Sequence, residues 1–286
     1  MQAKKLGMIR PGQDGAIFDG RLFRGDADGS VRVYDLRARD ASGERTFPLV
    51  ASFRLDRSDE MLAHCNAAAF GPAQAGELPL YYTNVYNSYQ KETDRREGVL
   101  CVYRFRQEEE GYSSRLVQII RVGFVEDRAL WKSLEGSGDV RPYGNFVVDA
   151  QRGLLAAFVM RDREPVTRYF VFDLPDSGAG TPDPVLGVPC VTLTEADVKA
   201  RFDGPYIHYM QGACCRDGVI YSVEGFLAGD PEGPPAFRAV DLRAGRETAV
   251  EDLVPMGLVR EPECIDFDGD ELLYSDGDGN LFQLVL

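Results

Sequence analysis

The chain has 286 residues, 44% of them hydrophobic and 27% charged, with a net charge of −14 at pH 7. That size allows one large domain or two small ones, and the composition is that of an ordinary water-soluble globular protein. The acidity sets most of the surface against a phosphate backbone, so nucleic acid is not an expected partner. The longest apolar run, residues 154–160, is far too short to span a bilayer. Lys4 and Lys5 are followed by no apolar h-region, so no signal peptide is read and a cytoplasmic location is expected.

Short apolar segments bounded by Gly, Asp and Asn recur along the chain. Their β-branched and aromatic content predicts strands. A first segment with a polar start appears as DGAIFDG (14–20), HCNAAAFG (64–71), GNFVVDA (144–150), QGACCRDG (211–218) and ECIDFDG (263–269). A second follows each: RLFRG (21–25), PLYYT (79–83), LLAAF (154–158), VIYSV (219–223) and LLYSD (272–276). The third is VRVYDL (31–36), LCVYRF (100–105), YFVFDL (169–174), FRAVDL (237–242) and NLFQLV (280–285). Measured between Tyr34, Tyr103, Phe172, Val240 and Phe282, the third segments are spaced by 69, 69, 68 and 42 residues. A fourth strand is expected at RTFPLVASFRL, RLVQIIRVGF, VLGVPCVTL and ETAVEDLV, and the fifth unit stops after three. KKLGMIR (4–10) can supply its missing strand.

The Asp-Gly clusters between these segments are predicted to be hairpin turns, because Asp, Asn and Gly tolerate positive φ. A calcium loop starting at Asp266 would need Gly where Glu271 stands and Glu where Gly277 stands, so the spacing rejects it. The six cysteines form no C-x-x-C motif and are expected to be reduced.

Five four-stranded units, the last completed by the N-terminal segment, resemble the five-bladed β-propeller superfamily along the whole chain, residues 1–286, read as one domain. Terminal strands that share a blade close the ring without an open sheet edge. Neither the S-x-D-x-G-x-T-W boxes of sialidases nor the G-H and W-D signature of WD40 propellers is present. Residues 127–136 and 194–202 have helical composition, the second with a capping-type Thr and Asp, and read as helical insertions.

In such a ring the starts of the first strands frame one mouth of the central funnel. The starts read IRPGQD (9–14), AHCN (63–66), VRPYGN (140–145), YIHYMQ (206–211) and VREPEC (259–264). His64, His208, Tyr143 and Glu263 are the expected proton-transfer groups there. Arg10, Arg141 and Arg260 suit capture of an anion, while Asp14, Asn66, Asn145, Gln211 and Glu261 can hydrogen-bond a substrate. The histidines could equally ligate a divalent metal in the funnel. The sequence therefore points to a propeller enzyme, a hydrolase or lyase acting on an anionic or polyhydroxylated small molecule or sugar. A non-catalytic glycan or metabolite binder, or a protein-interaction scaffold whose polar starts merely brace the blades, is the alternative.

Overall fold

The computed structural model describes the chain except residues 62–64, 66, 74, 85–98, 123–132, 135–138, 141–144, 162–164, 208 and 232. Strand β1 (Gln2–Met8) leads into the first blade, β2 (Gly15–Phe18), β3 (Arg21–Gly25), β4 (Ser30–Asp35) and β5 (Leu49–Arg54). The single-turn helix α1 (Ser58–Met61) precedes the second blade, β6 (Ala68–Phe70), β7 (Tyr81–Asn84), β8 (Val99–Glu108) and β9 (Gly111–Val122). A ribbon of β10 (Ser133–Leu134) and β11 (Asp139–Val140) follows. The third blade contains β12 (Asn145–Asp149), β13 (Leu154–Arg161) and β14 (Val166–Asp173). Next come β15 (Thr181–Pro182), β16 (Pro189–Leu193) and β17 (Ala200–Pro205). The fourth blade is β18 (Met210–Arg216), β19 (Val219–Glu224), β20 (Ala236–Asp241) and β21 (Arg246–Asp252). The fifth is β22 (Pro262–Asp268), β23 (Glu271–Asp276) and β24 (Asn280–Val285).

The protein is a five-bladed β-propeller. Its innermost strands touch in a closed ring, β2 to β6 to β12 to β18 to β22 and back to β2. Strand β1 pairs antiparallel with β24, from Gln2 opposite Val285 to Met8 opposite Asn280, and so completes the fifth blade. Both faces of the inner strands of each blade are buried, which is why those strands read as nearly continuous apolar runs. Side chains alternate across each strand. One set therefore packs on the preceding blade and the other on the next, giving five separate cores. Phe23, Tyr81 and Phe105 lie between the first two blades, and Phe146, Leu155 and Phe170 between the second and third. Phe158 and Tyr169 join the third to the fourth, Phe237 and Tyr274 the fourth to the fifth, and Tyr34 and Leu273 the fifth to the first. The adjacent Cys214 and Cys215 obey the same alternation, Cys214 facing the fifth blade and Cys215 the third. All six cysteines are free thiols.

The hairpin chemistry is as the sequence predicts. Asp19 and Gly20 have φ of 46° and 71°, and Asp217 and Gly218 have 55° and 78°, the two positive values of a type I′ turn.

Three expectations need correction. VLGVPCVTL is not the fourth strand of the third blade. Its β16 portion lies parallel to β9, with Cys190 opposite Ile119, and extends the second blade to a six-stranded sheet with β15. Leu193 and Val191 thereby enter the core between the second and third blades from the second blade's side. The true fourth strand is β17, within and beyond the stretch 194–202 that reads as a helix. Thr194 and Asp197 do form a cap, the Thr194 amide and hydroxyl donating to Asp197 Oδ2 at 2.7 and 2.8 Å, but it closes only the 3-10 turn Glu195–Asp197. Phe202 then stacks on Tyr169 at 4.9 Å, and Gly204 and Pro205 cannot prolong a helix. In the other supposed helix, 127–136, residues 133–134 are strand β10, and 127–132 and 135–136 lie outside the described residues.

Candidate functional site

The innermost strands run from one mouth of the channel, framed by their starts, to the other, framed by the hairpins that follow. At the first mouth two of the strand starts are bulged. Strand β18 shifts register between Met210 and Gly212, leaving Gln211 as the extra residue, and β22 shifts between Pro262 and Cys264, leaving Glu263. A bulge re-aims the side chain it carries. Counted back from the two-residue turns, Gln13, Gln211 and Glu263 occupy equivalent positions of the first, fourth and fifth blades.

Those positions build a connected polar group. Gln13 Nε2 donates to Glu263 Oε1 at 3.3 Å. Gln211 Nε2 donates to Glu261 Oε1 at 2.7 Å and to the Gly225 carbonyl at 3.2 Å. Glu263 is 5% exposed, and its Oε2 has no hydrogen-bond partner. Burial pushes its carboxyl up to about 9, the neighbouring Glu261 charge adds to the rise, and the Arg24 guanidinium pulls the other way. Glu261, half-buried, is also raised by desolvation, partly offset by the Gln211 hydrogen bond. One carboxyl is thus held as the neutral acid while its neighbour, more open to solvent, is less perturbed.

Asp14 is fully buried beside them. Its Oδ2 accepts from the Ala68 amide at 2.9 Å, tying the first blade to the second, while Oδ1 has no partner. Burial raises it well above the usual carboxylate range, against the Gly15 and Ala68 amides, which lower it. The channel is narrow here. A Cβ on Gly212 would fall 2.7 Å from the Glu263 carbonyl and 3.1 Å from Asp14 Oδ1, so packing alone requires glycine.

The arginines behave differently. Arg260 lies in solvent and pairs with Asp278 of its own blade at 3.1 Å. Arg10 is exposed, its backbone amide donating to the Tyr34 hydroxyl at 3.3 Å. Asn145 is buried at the start of β12, opposite Phe158. His64, His208, Tyr143, Arg141 and Asn66 lie outside the described residues. Among the described residues no group of three or more His, Cys, Asp or Glu is arranged to hold a metal ion. No helix there is long and apolar enough to cross a membrane.

Sequence reading missed two members of the site. Gln13 stands one residue before the chosen Asp14. Arg24 is fully buried in β3, where its guanidinium donates to the Gly12 carbonyl at 2.6 Å, to the Asp276 carbonyl at 3.0 Å and to the Ser275 hydroxyl. It clamps the first blade to the fifth directly beside Glu263. The available signal was a cation inside the otherwise apolar segment RLFRG, a residue type rarely buried without a dedicated partner.

No known protein family and no curated protein matches the chain. Among solved structures it aligns with the glutaminyl cyclase of Myxococcus xanthus over 99% of its own length and 93% of that chain, at 14% identity and a TM-score of 0.49. It also aligns with the computationally designed Ika8 protein over 99% and 100%, at 10% identity and a TM-score of 0.37. With Sqt1 of Saccharomyces cerevisiae the shares are 92% and 68%, at 9% identity and a TM-score of 0.38.

Proposed function

We propose that the strand-start mouth binds a neutral, polyhydroxylated small molecule or sugar and performs acid/base chemistry on it, as a hydrolase or lyase. The observation that carries this reading is the pair Glu261 and Glu263, one just before and one on the bulged start of β22, held in environments that separate their proton affinities. Glu263 supplies the acid, its protonated Oε2 free to donate to a leaving or bridging oxygen. Glu261 supplies the base, oriented by Gln211. Among the described residues the mouth offers mainly carboxyl and amide groups, with Arg10 an exposed cation at one strand start and Arg260 taken up by Asp278. That balance favours hydroxyl-rich substrates over anionic ones.

One observation favours a non-catalytic reading. Gln13 with Glu263 and Gln211 with Glu261 already satisfy one another, as they would if they only braced the blades around a binding or interaction surface.

The test is a panel of chromogenic neutral glycosides alongside uronate analogues, assayed across pH with Glu263→Gln and Glu261→Gln. The expected turnover rises as Glu261 ionises, falls as Glu263 deprotonates near about 9, and drops at least ~100-fold in either variant. Binding of a panel member with no turnover, unchanged by both substitutions, would leave the bracing reading standing.

A further inference from the structure

The opposite mouth of the channel carries a site that the proposed chemistry does not use. Where the innermost strands run into their hairpins, a cavity of about 500 Å³ opens, lined by residues from all five blades. That volume lies within the range of small-molecule sites. Its walls are mixed, with Phe18, Phe70 and Phe267 as the large apolar groups, Gln151, Arg216 and Asp266 among the polar ones, and alanines such as Ala69 and Ala150 leaving the space. Phe18 and Phe70 form one continuous wall, their rings 5.6 Å apart.

Asp266 lines this cavity. Its Oδ2 accepts from the Ile17 amide at 2.6 Å and its Oδ1 from the Phe267 amide at 2.8 Å. The Cys214 thiol bonds it as well, and because a carboxylate has about four lone-pair sites, acceptor capacity remains. Three arginines of the hairpin side are engaged elsewhere, Arg152 with Asp149 at 3.7 Å. Arg37 bonds Asp19 at 2.8 Å and reaches Asp268 at 3.5 Å. Arg216 bonds Asp270 at 2.6 Å and lies over the Phe267 ring at 4.7 Å. Asp266 thus has no ion-pair partner among the described residues, and desolvation raises it to about 6, so it is mostly ionised at neutral pH.

We propose that this hairpin-side cavity binds a small organic ammonium, its charged head on Asp266 and its apolar body among Phe18, Phe70 and Phe267. An ammonium supplies the counter-charge that the half-buried carboxylate lacks, and aromatic faces attract cations as well as hydrocarbon. A surface of net charge −14 draws cations toward the mouth.

The test is calorimetric titration of the intact protein with phenethylammonium chloride, against 2-phenylethanol and phenylacetate as neutral and anionic counterparts of similar shape. The ammonium is expected to bind at least ~10-fold more tightly than either. Asp266→Asn, whose amide oxygen can still accept from one backbone amide, should weaken ammonium binding at least ~10-fold. Ala150→Phe, which fills the cavity without touching Asp266, should abolish binding and leave the melting temperature within a few degrees. If Asp266→Asn fails to fold, the Ala150→Phe comparison and the ligand series decide. Equal affinity for 2-phenylethanol, binding that survives Ala150→Phe, or no ammonium binding would overturn the assignment.

Discussion

Replacing Glu263 by Gln should stabilise the protein at neutral and alkaline pH. The carboxyl is raised from 4.5 to about 9 in the folded state, so the native protein holds this proton more tightly than the unfolded chain. The sign follows from that difference. Below the unfolded value both states are protonated and nothing is lost. As pH rises above it, the unfolded chain gains by ionising while the native state cannot, and stability falls until the native carboxyl also ionises near about 9. Each unit in that window removes about 1.4 kcal/mol, so at pH 7 the loss is at most roughly 3 kcal/mol. Glutamine keeps the shape and the Oε1 acceptor for Gln13 and never ionises. Urea unfolding of both proteins at about pH 5, 7 and 9 measures the effect. The expected gap is small at the lowest pH, about 2 to 3 kcal/mol at neutrality and larger still at the highest. Two curves that stay parallel across the range would show that Glu263 titrates normally, and the acid role argued for it would go with them.

Arg238 is 6% exposed and held by Glu224 at 2.8 Å and by Glu247, so Arg238→Ala should lose about 3 to 5 kcal/mol in chemical denaturation by stranding two carboxylates. Arg260→Ala, which breaks an exposed pair only, should change stability by less than about 1 kcal/mol in the same measurement. Thiol counting on unreduced, denatured protein should find six free cysteines, while in the native protein Cys65, pushed up to about 12 by burial, should resist alkylation at mildly alkaline pH. Deleting residues 1–8 exposes the edge of β24 and should produce a lower melting temperature and aggregation, both visible by scanning calorimetry and size-exclusion chromatography.

The blade count and the turns were legible because each depends on local chemistry that recurs along the chain, and the ring closure because the fifth unit is one strand short. Asp-Gly pairs announce turns whatever surrounds them, and buried strands show apolar runs. The third blade's outer strand was not legible, because edge strands carry the weakest pattern. ARFDGP alternates only partly, and its assignment depends on Phe202 meeting Tyr169 across the sheet. The stretch VLGVPCVTL looked like a strand and is one, but which sheet it joins is a question of tertiary packing. The mouth was located from the strand starts, yet its electrostatics was not. The sequence shows Arg260 and Glu263 only as charged residues. Pairing with Asp278 in solvent for one, and burial to a neutral acid for the other, arise in three dimensions.

The pairing of β1 with β24 also bears on how the protein is made. Residues 2–8 are synthesised before residues 280–285 and have no partner until those appear. At typical elongation rates the roughly 270 intervening residues take on the order of tens of seconds to synthesise. Throughout that interval a strand with open hydrogen-bonding groups is available to any other unpaired edge, including that of a neighbouring nascent chain. Lys4 and Lys5 sit in the middle of β1, and Lys5 Nζ finds Asn280 Oδ1 at 2.8 Å only once the ring is closed. Until then their charges repel like segments, so the two lysines guard the edge during synthesis and one of them joins the clasp afterwards.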